Sequence, residues 1–330
     1  MIALRSVLLG LLTTALLAAP SWAATSWDMP TPYPEGNFHT RNITMFAEDV
    51  KAATDGAVEI RVHSNQSLFK HPEIKNAVRG GQVPLGESLL SRLGNENAVF
   101  EADSVPFLAS DYAAAEALWQ AQRPVVEKLF DREGMIVLFS VPWPPQGLYS
   151  TTPVNRIEDL HGVDFRAYNA ATERLAQLAG AVPTQVEAAE VAQAFATGRV
   201  DAMMTSPSTG ADSKAWDFVD NYYDVQAWLP KNVVIVNKRA FRALDAETQK
   251  KVLAAAAAAE ERGWRMSQEE TAEKTELLQE NGMNVAPPSP ALKDGLEKIG
   301  ETMTEEWVSR AGEDGRAVLD DYRKAEAGAR

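Results

Sequence analysis

The chain contains no cysteine. That excludes disulfides, thiolate nucleophiles, iron–sulfur clusters and cysteine-based zinc sites together. Histidine is scarce too: His39, His63, His71 and His161 are the full set. None of them has the HExxH spacing of a zinc protease, and none accompanies a GxSxG serine. Cations are outnumbered, 32 Lys and Arg against 46 Asp and Glu, for a formal net charge of −14. A surface of that sign repels nucleic acid and anionic lipid, both of which need clustered Lys and Arg. An anionic ligand would therefore need a local positive point inside a negative shell. Long apolar runs are missing after the N-terminus, since the alanine stretch at 254–259 is flanked by charges.

What is present points to an exported globular protein. At 330 residues and 45% apolar content the chain has room for two ordinary domains. It opens with Arg5, an apolar run from Val7 to Ala19 and then Ser21-Trp22-Ala23. That pattern is a secretory signal peptide, too short for a comfortable transmembrane span. Residues 1–23 are expected to be removed by cleavage near Ala23, and the periplasm is the expected location.

The remainder alternates strand and helix patterns. "ATSWDM" reads as a strand closed by "PTPYPEG", and residues 37–53 place Ile43, Phe46, Ala47 and Val50 at helical spacing. Gly56 supplies a left-handed cap, and "AVEIRVH", "HPEIKNAVRGG" and "QVPLGESLLS" continue as strand, helix and strand. A second unit begins with "NRIEDLHG" and "VDFRAYN" and proceeds through "AVPTQV" and "RVDAMMTS". "DVQAW" and "NVVIVNK" read as further strands. The tail is helical. The pattern from Asp245 to Gly282 predicts a helix of roughly 55 Å, long enough to cross from one domain to another. The fold class is α/β in two lobes. Residues 24–147 plus about 233–275 are expected to form one lobe, and 148–232 plus about 276–330 the other.

The order "DLHGVDFR", "GAVP", "GRVD" resembles the signature region of the DctP-like substrate-binding proteins of TRAP (tripartite ATP-independent periplasmic) transporters. "SVPFLA" and "VVIVNKRAFRALDAETQKKVLAAA" are similar to further segments of that family, and the resemblance covers essentially the whole mature chain. It implies a periplasmic-binding-protein fold, with two lobes closing on a ligand and a long helix crossing both. It also implies small and large integral membrane subunits as partners, and that the signature arginine, here Arg166, binds a ligand carboxylate.

The residues support that role independently. Arginine presents a planar fork that meets a carboxylate bidentately. Arg166 ends a strand just before a helix, the edge at which open α/β sheets bind ligands. Many family members carry a second arginine where this chain has Gln146. Thr205 stands where acidic-sugar receptors have asparagine. Glu87 and Ser88 fall at the cleft edge of the first lobe by position, and the loop before "VVIVNK" offers Trp228 and Asn232. Trp27, Trp143, Tyr149 and Trp228 are candidates for an aromatic wall.

The expected function is capture of a small organic acid between the lobes and delivery to membrane permease subunits, without covalent chemistry, cofactor or metal. With one firm cation, a hydroxy- or keto-monocarboxylate with an aromatic or branched apolar tail is favoured over a dicarboxylate. Gln146, Thr205 and Asn232 would bond its neutral hydroxyl, keto or amide group. An ABC-type solute receptor shares the two-lobe architecture. An exported hydrolase or lyase using Asp164, Glu187, Glu190 or Asp201 is the remaining alternative.

Overall fold

A computed structural model describes residues 24–329; the expected signal peptide, 1–23, lies outside them. The first lobe begins with β1 (Thr25–Pro30), α1 (Phe38–Ala53) and β2 (Val58–His63), a βαβ unit whose strands pair in parallel. Asn37 caps α1 by accepting from the His39 amide, and Gly56 takes φ +80° after its end. Next come α2 (Ile74–Arg79) and β3 (Leu85–Leu89), then α3 (Tyr112–Arg132), capped by Asp111, and β4 (Met135–Pro142).

The chain crosses to the second lobe at 143–146. There β5 (Gly147–Ser150), β6 (Asp164–Ala167), α4 (Ala170–Leu178), β7 (Val182–Gln185), α5 (Val191–Ala196), β8 (Ala202–Thr205), α6 (Pro207–Asp212) and β9 (Asn221–Tyr223) follow. It crosses back through 224–230 into β10 (Lys231–Asn237), then α7 (Lys238–Arg242), the 35-residue α8 (Ala246–Glu280), β11 (Asn284–Ala286) and α9 (Pro290–Ala329). The last helix is interrupted at Gly312, φ +63°.

Two sheets carry the lobes. In the first, β10 lies between β3 and β4, antiparallel to both. All seven residues of β10 are buried, as the continuous apolar run "VVIV" requires for a central strand. The second runs β11-β9-β5-β8-β6-β7, with β6 parallel to β7 and β8. The two crossing segments hydrogen-bond each other: Trp143 N donates to Pro230 O at 2.8 Å and Gln146 N to Trp228 O at 2.9 Å. "DVQAW" thus forms no ladder strand, and Gln226 breaks it at φ +54°.

Helix α8 packs on α1 and β4 in the first lobe and on α6 in the second. Gly263 makes this approach possible, since a Cβ there would lie 2.3 Å from Val141 Cγ2. The C-terminal stretch divides between lobes. β11 joins the second sheet, whereas the later turns of α9 pack on the first lobe, with Trp307 Nε1 donating to Ala98 O and Tyr322 OH to Leu108 O. Among the described residues, no helix is long and apolar enough to cross a membrane.

Candidate functional site

The C-terminal ends of the parallel strands β6 and β8 open onto the seam between lobes. A small cavity lies there, lined from the first lobe by Tyr33, His71, Leu89 and Arg92. From the second come Arg166, Tyr168, Glu187, Thr205, Ser206 and Thr209, with Trp143, Gln146 and Pro230 from the crossing segments.

Arg166 is built into this wall by strand alternation. Phe165 and Ala167 turn into the apolar core while Arg166 faces the other way, 3% exposed. Its Nε donates to Val186 O at 3.1 Å, and its guanidinium lies 5.1 Å from the centre of the Tyr168 ring. Nη1 is buried without a hydrogen-bond partner. Burial pushes the guanidinium pKa down to about 10, with Tyr168 and Glu187 opposing that fall. It is therefore cationic at neutral pH, with an unsatisfied donor. A carboxylate placed there would neutralise the charge and fill the donor.

A second cation, Arg92, comes from the turn after β3. Its Nη1 donates to Tyr168 O and its Nη2 to Glu187 Oε1, each at 2.7 Å. Both bonds cross the seam. So do Asn169 Nδ2 to Ser91 Oγ at 2.8 Å and Asn37 Nδ2 to Asp212 Oδ2 at 2.6 Å. Nothing local in "LLSRLG" marks Arg92 as a cavity residue. Tyr33, in the loop just past the end of β1, carries no such local mark either.

Of the expected site residues, Arg166, Gln146, Thr205 and Trp143 line the cavity together. Gln146 holds its amide between Pro144 O, to which it donates at 2.9 Å, and the Tyr168 hydroxyl, from which it accepts at 3.3 Å. The others sit behind the wall. Asn232 accepts from both Tyr33 OH (3.2 Å) and Trp143 Nε1 (3.0 Å), so it orients two wall aromatics. Glu87 is fully buried, accepting from Asn232 Nδ2 and Thr31 Oγ1 and facing His39. Its neighbour Ser88 is also buried, opposite Val233 in the sheet. Trp228 donates to Tyr168 OH at 3.3 Å. Tyr149 lies in the second lobe's core against Tyr222, its hydroxyl bonded to Ser206 O. Trp27 is in the core of the first lobe. Trp27 lies midway along β1 and Trp228 on a crossing segment rather than at strand ends, and packing against neighbouring elements turns these side chains inward.

Of the carboxylates weighed for acid–base work, Glu187 lines the cavity, and Arg92 already holds one of its oxygens. Among the described residues no grouping of His, Asp and Glu is arranged to hold a metal ion.

The family model for bacterial extracellular solute-binding protein, family 7 (DctP) matches residues 31–310. The chain belongs to this family, the substrate-binding proteins of TRAP transporters. Its members are periplasmic receptors rather than enzymes. Among solved structures, the chain is 51% identical to the Bordetella pertussis extracytoplasmic solute receptor DctP7, described as binding pyroglutamic acid. That match has a TM-score of 0.90 and covers 91% of this chain and 100% of the other. A marine metagenome TRAP solute-binding protein, described as specific for pyroglutamate, is 40% identical with a TM-score of 0.89, covering 91% and 99%. A solute-binding protein of Albidiferax ferrireducens is 28% identical over 53% of this chain. In that curated relative the match spans about half the length, 52%.

Proposed function

We propose that this TRAP-family protein captures pyroglutamate, or a lactam acid of the same class, in the cavity between its lobes. It is exported, cleaved near Ala23, and passes the closed-in ligand to small and large membrane subunits. The observation that carries the reading is the buried, half-satisfied Arg166 in a chain so similar to receptors described as binding pyroglutamate.

Charge accounting in the cavity supports one carboxylate. Arg166 and Arg92 bring two positive charges, and Glu187 cancels one of them. A monocarboxylate then leaves the cavity neutral. A dicarboxylate would bury an uncompensated anion at a cost of several kcal/mol. The lactam carbonyl and N–H find polar partners among Gln146, Thr205 and Glu187, and the flat ring suits the Tyr33, Trp143 and Tyr168 walls. This keeps the expected monocarboxylate and replaces its hydroxy or keto group and apolar tail with a cyclic amide.

Closure is driven by contacts made only when the lobes meet, with ligand and seam hydrogen bonds favouring the closed arrangement. Isothermal titration calorimetry of the mature protein is the test. Pyroglutamate should bind tightly and succinate or malate weakly or not at all. Tight dicarboxylate binding with no response to pyroglutamate would overturn the proposal.

A further inference from the structure

Glu187 is an unusual presence in a pocket built for an anion. One of its oxygens, Oε1, is committed to Arg92 Nη2 at 2.7 Å. The other, Oε2, lies 3.8 Å from His71 Nδ1, beyond hydrogen-bonding distance. His71 Nε2 already accepts from the Leu89 amide at 3.2 Å, so the ring is held as the Nδ1–H tautomer. Burial lowers the His71 pKa well below the ordinary imidazole value, which keeps the ring neutral beside Glu187. Glu187 also acts on Arg166, its charge opposing the fall in the guanidinium pKa. The cavity therefore presents a cationic donor and, electrostatically coupled to it, a carboxylate oxygen with acceptor capacity to spare.

We propose that Glu187 is a specificity-determining residue: Oε2 accepts a hydrogen bond from an N–H that the bound acid carries beside its carboxylate, with Arg166 holding that carboxylate. The proposal rests on the lactam reading above and goes further, naming the side chain that separates amide acids from keto and lactone acids. An ionised carboxylate accepts and cannot donate. It gains a charge-assisted bond from a ligand N–H and meets only lone pairs on a ring oxygen or keto group. Arg92 is part of the device. By holding Oε1 from the opposite lobe, it fixes the carboxylate's orientation at the moment the seam closes, so the selective contact exists in the closed form.

The test is calorimetry of the mature protein with two probes. One is pyroglutamate, the other the γ-lactone of the same skeleton, in which a ring oxygen replaces the N–H. The unaltered protein should prefer the lactam by about 10- to 100-fold, the range of one hydrogen bond to a charged group. In Glu187→Gln that preference should fall to about threefold or less, through loss of lactam affinity with lactone affinity held or improved. A seam role alone would weaken both probes equally, and that result would overturn the proposal. Equal binding of lactam and lactone by the unaltered protein would overturn it as well, while leaving the lactam-acid reading intact. If the unaltered protein binds neither probe, the substrate reading itself fails and this inference falls with it.

Discussion

Arg92 and Tyr168 stand on opposite lobes, and Arg92 Nη1 donates to the Tyr168 main-chain carbonyl at 2.7 Å. The acceptor is backbone, two residues beyond Arg166, so the bond registers the first lobe against the strand end that carries the ligand-facing cation. The same guanidinium reaches Glu187, and one side chain therefore ties two segments of the second lobe to the first. Arg92→Ala should leave the fold in place and weaken ligand binding about tenfold or more, since hydrogen bonds involving charged groups each contribute about 1.5–3 kcal/mol. The loss should fall mainly on the dissociation rate, because closure follows capture. Stopped-flow fluorescence separates the rates; an unchanged dissociation rate would count against a latch.

Arg166→Ala removes the buried cation facing the ligand. Truncating one partner of a buried charge pair costs roughly 2–5 kcal/mol, which is about 30-fold or more in affinity. Arg166→Lys should recover little, because the Nε bond to Val186 O and the fork geometry are both lost. Calorimetry with pyroglutamate measures both variants. Near-wild-type affinity in the alanine variant would remove Arg166 from its assigned place.

Stability should fall on acidification, in part through His71. Burial depresses its folded-state pKa below the ordinary value of 6.5. The folded ring resists the proton that the unfolded chain accepts. Its contribution is thus present above about pH 6.5 and is lost as pH falls from there toward the folded value. Glu187 and Arg92 face the ring and the Leu89 amide binds it, so these groups share its environment. Thermal denaturation across pH 5.0 to 7.5, about the range of imidazole titration, should show a steeper decline for the native protein than for His71→Gln. Parallel curves would show that His71 adds nothing.

Gly263 predicts the cost of filling the joint between α8 and β4. A methyl group there would lie 2.3 Å from Val141 Cγ2 and 2.7 Å from Asn42 Nδ2. Alanine normally stabilises a mid-helix position by up to about 1 kcal/mol over glycine. Here overpacking, costing about 1–3 kcal/mol, should win, because β4 is held to β10 by its ladder and the short, branched Val141 side chain has little freedom to turn away. Urea denaturation of Gly263→Ala should show a lower midpoint; a higher one would mean the helix can shift.

Local chemistry was enough to read several elements directly from the amino acids. The Asp245 cap and helical spacing announce α8, with Asp245 accepting from the Glu247 and Thr248 amides. The run "VVIV" announces a fully buried strand, and the Arg166 position follows from the strand-end rule and the family motif. Such features depend on residues a few positions apart, so periodicity and capping determine them.

The tertiary structure decided which of those side chains meet. Arg92 reaches Tyr168 and Glu187 across 76 and 95 residues of chain, and Asn232 reaches Tyr33 across 199. The strand aromatics Trp27 and Tyr149 carry no local sign of facing inward, because the neighbouring helix and sheet, not the pleat alone, choose the buried face. Even the short edge strand β11 exists through β9, a parallel partner separated from it by the whole of β10 and α8. Pairings of that kind depend on how the lobes fold and meet, so they are written in no single stretch of the chain.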